Sequence, residues 1–406
     1  MTEIQSKLIS IIIFSAVILT SIFSFNQVLF PKLLIELTSV YQNESDNIFE
    51  LGIWGIPFLI SNITFGLIWF SIKFFKIPIR KYIQSVLDFD LSKKITILIL
   101  IIIFSIYLTF AINGLDDFVS NAGDYADTLE GVENVSLYAE TEDGSQGHLN
   151  YFYLRYVFLN ISYTIFNSIE VLPFLSSVAL LSLTYLLSVK LSGKRISGIV
   201  AVIIVIQSNL FHIFDTQGSY DTFWITFFLL ALYLILLKKP YISPISFIVA
   251  ILTKLVAFLF FPIFISLILS TNESIRKKKK ILLLYCFFPI FFIVGFFIPG
   301  AFSIEQFGTI DTRSIVTSFS VLAIALRYDG LILLSFFPIL FLLMIKSRNN
   351  FRYANFLLVS ITTILVIPPL ISGVAGYTNE PYRFVSLLPL FAISVGYLFT
   401  KKINPV

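Results

Sequence analysis

Long apolar runs recur from one end of the chain to the other, and they constrain its fold more than any other feature. Residues 8–29, 51–75 and 95–113 are the first three of these runs. Each has roughly the 17–25 residues that a helix needs to cross a bilayer. Backbone amides in lipid must be hydrogen-bonded within their own segment, and a barrel would need short alternating strands instead. The runs therefore predict an all-α fold, a polytopic transmembrane helical bundle.

The composition excludes several other classes of protein. Of the 406 residues, 57% are hydrophobic and only 13% are charged, and the mean hydropathy is +0.91. The formal net charge of +4 comes from short Lys/Arg clusters beside apolar runs, which does not indicate nucleic-acid binding. Cys286 is the single cysteine, so no intrachain disulfide can form. Two histidines and one cysteine leave little for a soft-metal site.

Clusters of basic residues predict the topology, because short cytoplasmic loops of membrane proteins are rich in Lys and Arg. These clusters lie within residues 73–94, 190–195, 238–239, 276–280, 346–348 and 401–402. A topology of about twelve spans, with both termini inside, makes every one of them cytoplasmic. Single spans are predicted at residues 196–214 and 222–237, on either side of a short external loop.

Three segments do not fit a simple alternation of full spans. Residues 151–169 are aromatic and only moderately apolar, which favours an amphipathic helix at the external interface. Residues 241–270 are too long for one span, and two short helices turning at Lys254 place that lysine at the external face. Residues 314–326 are short and Ser-rich, and the topology favours an interfacial or re-entrant segment.

The first external loop, residues 114–170, is long and acidic. It opens with Asp116 and Asp117 directly after the third apolar run, and no Lys or Arg follows before Arg155. An ionisable pair at the edge of a membrane cavity is a candidate functional site. We expect one of the two aspartates to act as a general base on a hydroxyl group. The simpler alternative is a solvated loop start.

In this topology, further polar residues fall on the same external side, namely His148, Arg155, Asp221, Lys254, Arg327 and Arg383. Carboxylates at the mouth of a cavity and cations at its membrane edge suit an anionic lipid head group and a reaction that needs a base. Each residue also has a simpler interpretation. Asp221 can cap the following helix, Lys254 can extend to the interface, and the arginines can be interfacial anchors.

Several short motifs resemble the C-type glycosyltransferase (GT-C) superfamily of multispan membrane enzymes. Asp116-Asp117 is similar to the acidic pair at the start of that family's first external loop. The segments 147–154 and 192–201 resemble its loop-closing stretch and its basic turn before a helix of small residues. Tyr220 and Asp221 belong to a Gly-Ser-Tyr-Asp sequence found in oligosaccharyltransferase catalytic subunits. Thr253-Lys254 resembles the Thr-Lys of the GT-C family at the turn between two short spans. Tyr382-Arg383 resembles the arginine that the family has before a helix near its C-terminal end.

The resemblance covers residues 95–406 and leaves residues 1–94 as an extra N-terminal transmembrane hairpin with a basic cytoplasmic loop. It implies transfer of a sugar from a polyprenyl-phosphate carrier to a glycan, lipid or protein acceptor at the external face of the cell membrane. The Trp-Trp-Asp-Tyr-Gly motif of oligosaccharyltransferases is absent, which favours transfer of a single hexose or pentose. The implied catalytic residues are Asp116 and Asp117. The implied substrate-binding residues are His148, Arg155, Tyr220, Asp221, Lys254, Arg327 and Arg383. The carboxylates are compatible with a divalent cation, Mg²⁺ or Mn²⁺, and equally with a metal-free site.

Two other classes of function remain as alternatives. A transporter or lipid flippase would favour charges in the middle of spans and broken helices related by an internal repeat. The charges here are predicted at one face, and the sequence has no strong repeat. A non-catalytic GT-C-like membrane protein would bind the carrier lipid without turning it over.

Overall fold

The structure is a computed structural model of the chain. It describes residues 3–30, 49–74, 85, 87–114, 128, 131–133, 138–140, 146–149, 153–216, 222–297, 315, 326, 329–349, 351, 353–375 and 384–400.

Helices account for most of this part of the chain. They are α1 Glu3–Leu29, α2 Gly55–Phe74, α3 Lys93–Gly114, α4 Tyr153–Phe166, α5 Val171–Ser192, α6 Arg195–Ile206, α7 Asn209–Phe214, α8 Thr222–Leu236, α9 Ser243–Thr253, α10 Phe261–Ser270, α11 Ile275–Phe297, α12 Gly330–Arg348, α13 Ala354–Ala375 and α14 Leu387–Tyr397. A 3-10 helix, Leu255–Phe260, joins α9 to α10. Strands β1 Tyr138–Glu140 and β2 Gln146–Leu149 pair antiparallel. The predicted α-helical fold is confirmed, but this small hairpin within the first loop was not expected.

Among the residues that the structure describes, four helices are long and apolar enough to cross a membrane, which indicates a membrane protein. They cover Gly55–Phe74, Lys93–Ile112, Val171–Ser192 and Gly330–Arg348. Helix α3 shows the pattern most clearly, because Leu98, Ile101 and Phe110 are each more than half exposed. Soluble proteins rarely expose apolar surface that is so continuous. The span count of about twelve stays a prediction.

The chain divides into two compact units. The first contains residues 1–98, 188–210 and 309–406, and the second contains residues 99–187 and 211–308. Both units are built from interleaved segments of the chain. The division predicted from the resemblance, residues 1–94 and 95–406, stays a prediction.

The first unit has an aromatic core between α1, α2, α12 and α14. The ring of Phe25 stacks on Phe58 at 5.3 Å and lies 4.9 Å from Phe336, which stacks on Phe391 at 5.5 Å. Pro338 interrupts α12, because proline has no N–H to donate to the carbonyl four residues earlier. The Ser61 hydroxyl on α2 donates to that carbonyl, Leu334 O, at 2.9 Å. The interhelical bond satisfies an acceptor that would otherwise be costly in an apolar environment.

The basic turn between α5 and α6 is held by the segment that precedes α3. Asp90 Oδ1 accepts hydrogen bonds from the backbone N–H groups of Arg195 and Ile196, at 2.9 and 3.2 Å. The Lys194 ammonium donates to Leu87 O. Two of the basic clusters that predict the topology therefore lie together in this unit.

The second unit is organised around the antiparallel pair α8 and α9. Ser243 Oγ on α9 donates to Ala231 O on α8, and Ser246 Oγ donates to Phe227 O at 2.7 Å. As the residue number rises on α9, the paired number falls on α8. The end of α9 therefore lies level with the start of α8.

Two predicted segments have the expected form. Helix α9 ends at Thr253, and Lys254 adopts an extended conformation (φ −158°, ψ 115°) before the 3-10 helix begins. The break at Lys254 between two short helices is therefore confirmed. Helix α4 has 14 residues, which is too short to cross a bilayer upright.

The segment predicted as one span at residues 196–214 is not a continuous helix, because the structure divides it into α6 and α7. Helix α6 ends with the Gln207 N–H bonded to Ile203 O at 2.9 Å. The Asp329 carboxylate then accepts the N–H groups of Asn209 and Leu210 at 2.5 and 3.3 Å, and the Ser208 hydroxyl at 3.1 Å. This buried aspartate caps the start of α7 from a distant part of the chain.

Helix α11 begins at Ile275, before the basic residues 276–280. The cluster of basic residues is therefore part of the helix and does not form a loop before it. The predicted interfacial segment at residues 314–326 lies almost entirely outside the described residues.

Candidate active site

Two of the predicted site residues, Arg155 and Lys254, are described with their side chains. The backbone of His148 lies in β2. The other predicted residues lie outside the described part of the chain, namely Asp116, Asp117, Tyr220, Asp221, Arg327 and Arg383. Their roles stay predictions.

Lys254 lies at the turn between α9 and the 3-10 helix. Its N–H donates to Ala250 O at 3.0 Å, and its carbonyl accepts from the Ala257 N–H at 3.0 Å. The antiparallel pairing of α8 and α9 places this turn at the end of the unit where α8 begins. Thr222, the first residue of α8, directly follows Asp221 in the sequence. The predicted lysine and the residue after the predicted aspartate therefore belong to the same end of the second unit.

Two buried side-chain groups at the start of α8 lack a hydrogen-bond partner within the described part of the chain. They are Trp224 Nε1 and Thr222 Oγ1. The Trp224 side chain is 2% exposed, and its ring stacks on Phe260, the last residue of the 3-10 helix, at 5.3 Å. Leaving a buried polar group unpaired costs about 1–3 kcal/mol, and native proteins retain few such groups. This end of the unit thus has donor capacity that the described protein groups do not use.

Arg155 lies in the first turn of α4, which packs on the start of α8. Its Nη2 lies 3.4 Å from Thr128 Oγ1, and its guanidinium carbon is 5.3 Å from the centre of the Tyr156 ring. The Phe158 ring, one turn further on, is 5.2 Å from the Phe223 ring. A buried cluster of Val132, Leu159, Ile169 and Phe223 lies beneath this contact. Helix α4 is therefore held against the same end of α8.

A buried aspartate that was not among the predicted site residues is also found at this end. Asp215 is 3% exposed, and its Oδ2 accepts the Tyr107 hydroxyl at 2.9 Å. The His212 Nδ1 lies 3.7 Å from the same oxygen, so a protonated His212 would form an ion pair with it. Ser177 Oγ donates to the Asp215 backbone carbonyl at 2.5 Å. Tyr107 belongs to α3, the helix after which Asp116 and Asp117 follow.

Asp215 falls in the short external loop predicted between residues 214 and 222, where an exposed aspartate is unremarkable. A local signal was present, because His212 lies in α7 and Asp215 follows the end of that helix three residues later, a spacing that can bring two side chains together. The partner Tyr107 is 108 residues away, inside an apolar run. No local pattern indicates that contact.

The start of α5 completes the arrangement. The Ser176 hydroxyl on α5 is 2.9 Å from the Thr226 hydroxyl on α8, which joins the beginnings of these two helices. The second unit therefore brings a carboxylate, an imidazole, a phenol, an ammonium and a guanidinium to the end where α4, α5 and α8 begin and α9 ends. Carboxylate and imidazole can exchange protons, and the cations can bind phosphate.

A metal site is not supported by the described residues, among which no group of three or more His, Cys, Asp or Glu side chains could hold an ion.

Comparison of the chain with protein-family models, with curated proteins and with solved structures found no match.

Proposed function

We propose that the chain is an integral-membrane glycosyltransferase of GT-C type, which transfers a single sugar from a polyprenyl-phosphate carrier to an acceptor at the external face of the cell membrane. One observation carries the proposal. The start of α8 after Asp221 contacts both α4, through Phe158 and Phe223, and the 3-10 helix after Lys254, through Trp224 and Phe260. Helix α3 reaches the same end through the Tyr107–Asp215 bond before the chain continues to Asp116 and Asp117.

The proposed reaction follows from these chemical groups. Asp116 or Asp117 accepts the proton of the acceptor hydroxyl as its oxygen bonds to the anomeric carbon of the sugar. The bond from that carbon to the carrier phosphate breaks, and polyprenyl phosphate leaves. The Lys254 ammonium neutralises the charge that develops on the leaving phosphate. The Arg155 guanidinium is a further phosphate ligand, and His148 and Tyr220 contact the sugar.

Orientation of the protein follows from the basic turns. Lys238 and Lys239 lie at the end of α8 opposite to its start, and basic turns of membrane proteins face the cytoplasm. The end with Lys254 and Asp215 therefore faces outward in this proposal, where a lipid-linked sugar would be presented.

A transporter or lipid flippase is the second candidate, because the break between α6 and α7 is of the kind that such proteins use. The break is capped by the buried Asp329 carboxylate, which accounts for the freed N–H groups without a transported ion. Glycosyl transfer is therefore preferred.

The test uses purified protein in vesicles with a polyprenyl-phosphate-linked sugar pool and candidate acceptors, and mass spectrometry detects a hexose or pentose increment on the acceptor. The double variant Asp116→Asn, Asp117→Asn is expected to abolish the increment. Lys254→Ala is expected to raise the apparent KM for the carrier by about tenfold or more, since a hydrogen bond to a charged group contributes about 1.5–3 kcal/mol.

Membrane extraction and the unfolding midpoint serve as controls for the folding of both variants. Undiminished transfer by the double variant would refute the assignment of the base. Movement of a labelled carrier lipid across the bilayer without any sugar increment would instead favour the flippase.

A further inference from the structure

One surface of the second unit is strongly basic. It consists of the turn after α8 and the start of α11, and we call it the basic patch. Its members are Lys238, Lys239, Arg276, Lys277, Lys278, Lys279 and Lys280. Glu273 is the single acidic residue between residues 222 and 297. The positive charge of this surface is therefore largely uncompensated by the segments that form it.

Contacts show how the two halves of the basic patch lie together. Lys277 Nζ is 2.9 Å from Glu273 Oε2, and Lys278 Nζ donates to Leu269 O at 2.7 Å. The hydrogen bond from Lys277, with the nearby positive charges of Lys277, Lys238 and Lys278, holds the pKa of Glu273 below its ordinary value. The two halves are joined at Ser243, whose N–H donates to Lys239 O at 3.3 Å and whose hydroxyl bonds the Tyr285 hydroxyl on α11. Lys277 and Lys278 contact other groups of the protein. The Lys239 side chain is exposed.

The start of α11 is an unfavourable position for so much positive charge. Helix α11 begins with five consecutive cations and no acidic residue in its first turn, although the positive end of the helix dipole disfavours cations there. Arg276 and Lys280 repel each other because they are four residues apart on the helix. Lys238 has φ 60° at the end of α8, a left-handed position that usually holds glycine. An anion bound at the surface would offset the electrostatic part of these costs.

Exposed apolar side chains surround the basic patch in the same unit. Ile275 is 74% exposed, Leu283 is 72%, Tyr241 is 68% and Leu269 is 57%. A nucleic acid or an acidic peptide would neutralise the lysines but would make no use of these apolar side chains. A phospholipid has an anionic head group directly joined to apolar chains, and so it matches both parts of the surface.

We propose that the basic patch binds the phosphate head groups of anionic phospholipids, with their acyl chains lying along α11 beyond Leu283. This site is separate from the proposed glycosyl-transfer site and does not depend on it. Arg276, Lys279, Lys280, Lys238 and Lys239 supply the charge that the head groups neutralise.

The native Cys286 offers a direct test, because it is exposed and is the only cysteine in the chain. It lies seven residues after Lys279, which is two helical turns, about 10 Å, along the same face of α11. The protein is labelled with a fluorophore at Cys286 and reconstituted in two preparations of phosphatidylcholine vesicles. One preparation contains a small fraction of spin-labelled phosphatidylglycerol, and the other contains the same fraction of spin-labelled phosphatidylcholine, each with the spin label near the top of the acyl chain. Spin-labelled lipid that lies beside Cys286 quenches the fluorescence.

We expect the anionic lipid to quench more strongly. Its affinity for the site beside Cys286 should exceed that of phosphatidylcholine by at least about fivefold, because one basic residue contributes about 1 kcal/mol to binding an anionic lipid. The preference should fall as salt is raised, because salt screens exposed charges. A variant with Gln at Lys238, Lys239, Arg276, Lys279 and Lys280 is expected to lose it. A matched variant with Gln at five other exposed basic residues, Lys73, Lys93, Lys94, Lys190 and Arg348, is expected to keep it.

Equal quenching of the wild-type protein by the two lipids would overturn the proposal without any variant. So would a preference that survives in the first variant and disappears in the second. Binding of a short anionic oligonucleotide to the detergent-solubilised protein, with no lipid preference in vesicles, would assign the basic patch to another class of partner and refute the proposal.

Discussion

Tyr107→Phe tests whether the bond between α3 and Asp215 stabilises the polar end of the second unit. The substitution removes one hydroxyl and leaves the ring, so it creates almost no cavity. Tyr107 is 0% exposed and Asp215 is 3% exposed, so water cannot replace the lost donor at the carboxylate. A hydrogen bond to a charged group contributes about 1.5–3 kcal/mol. We therefore expect the free energy of unfolding to fall by about that amount.

The measurement is equilibrium unfolding in mixed micelles, titrated with dodecyl sulfate and followed by circular dichroism. Tyr163→Phe is the matched control, because Tyr163 is 46% exposed on α4. Its loss of a hydroxyl should change the free energy of unfolding by no more than about 0.5 kcal/mol.

Tyr107→Phe in an Asp215→Asn background distinguishes the contribution of the Asp215 charge from that of the hydrogen bond itself. A neutral acceptor is worth about 0.5–1.5 kcal/mol, so Tyr107→Phe should cost less in that background. The difference between the two costs measures the coupling of the pair. If Tyr107→Phe is no more destabilising than Tyr163→Phe, the hydroxyl does not hold Asp215 in the folded protein, and the arrangement proposed for this end is wrong.

Two other predictions concern the first unit. Gly396→Ala on α14 should destabilise the protein by about 1–3 kcal/mol in the same unfolding assay, because the new Cβ would lie 2.6 Å from the Ser197 carbonyl oxygen. Gly66→Ala on α2 should be neutral or stabilising, because a Cβ at Gly66 would have no atom of the described residues within 4 Å. Equal effects of the two substitutions would contradict the close approach of α14 to α6. Asp90→Ala should cost about 0.5–2 kcal/mol, since it removes the acceptor for two N–H groups at the start of α6. An unchanged unfolding curve would mean that water caps this helix equally well.

The spans that the sequence predicts most reliably are those whose ends carry their own signals. The break at Lys254 follows from length and charge alone, because a 30-residue apolar stretch between two basic turns cannot be one upright helix. The end of α5 is similar, since Gly193 takes a φ of 77° before the basic turn. Both features are local, and the structure has the break at Lys254 where it was expected.

The break between α6 and α7 could not be predicted by counting apolar residues. Gln207, Ser208 and Asn209 interrupt the run, and Ser208 is a common residue before the first turn of a helix. The carboxylate that caps the helix belongs to Asp329, 121 residues from Ser208. The burial of Asp215 depends in the same way on Tyr107. In both cases a tertiary contact turns an ordinary polar residue into a buried one.

The length of α8 indicates how deep the candidate active site lies. Its 15 residues span about 22 Å, whereas the hydrocarbon core of a bilayer is about 30 Å thick. If Lys238 and Lys239 lie at the cytoplasmic head groups, the start of α8 and the turn at Lys254 lie several ångströms below the outer surface of that core. A charge at such depth is costly unless it faces protein or a wet cavity. Lys254 should therefore line a recess that opens to the outside.

This depth can be measured with Lys254→Cys in a Cys286→Ser background. A small water-soluble thiol reagent added from outside should react with Cys at this position, whereas a bulky one should not. Equal reaction with both reagents would place the turn at the surface, and no reaction with either would exclude a wet recess. A recess is what the proposed reaction needs, because a prenyl phosphate must bring its phosphate beside the lysine while its chain stays in lipid.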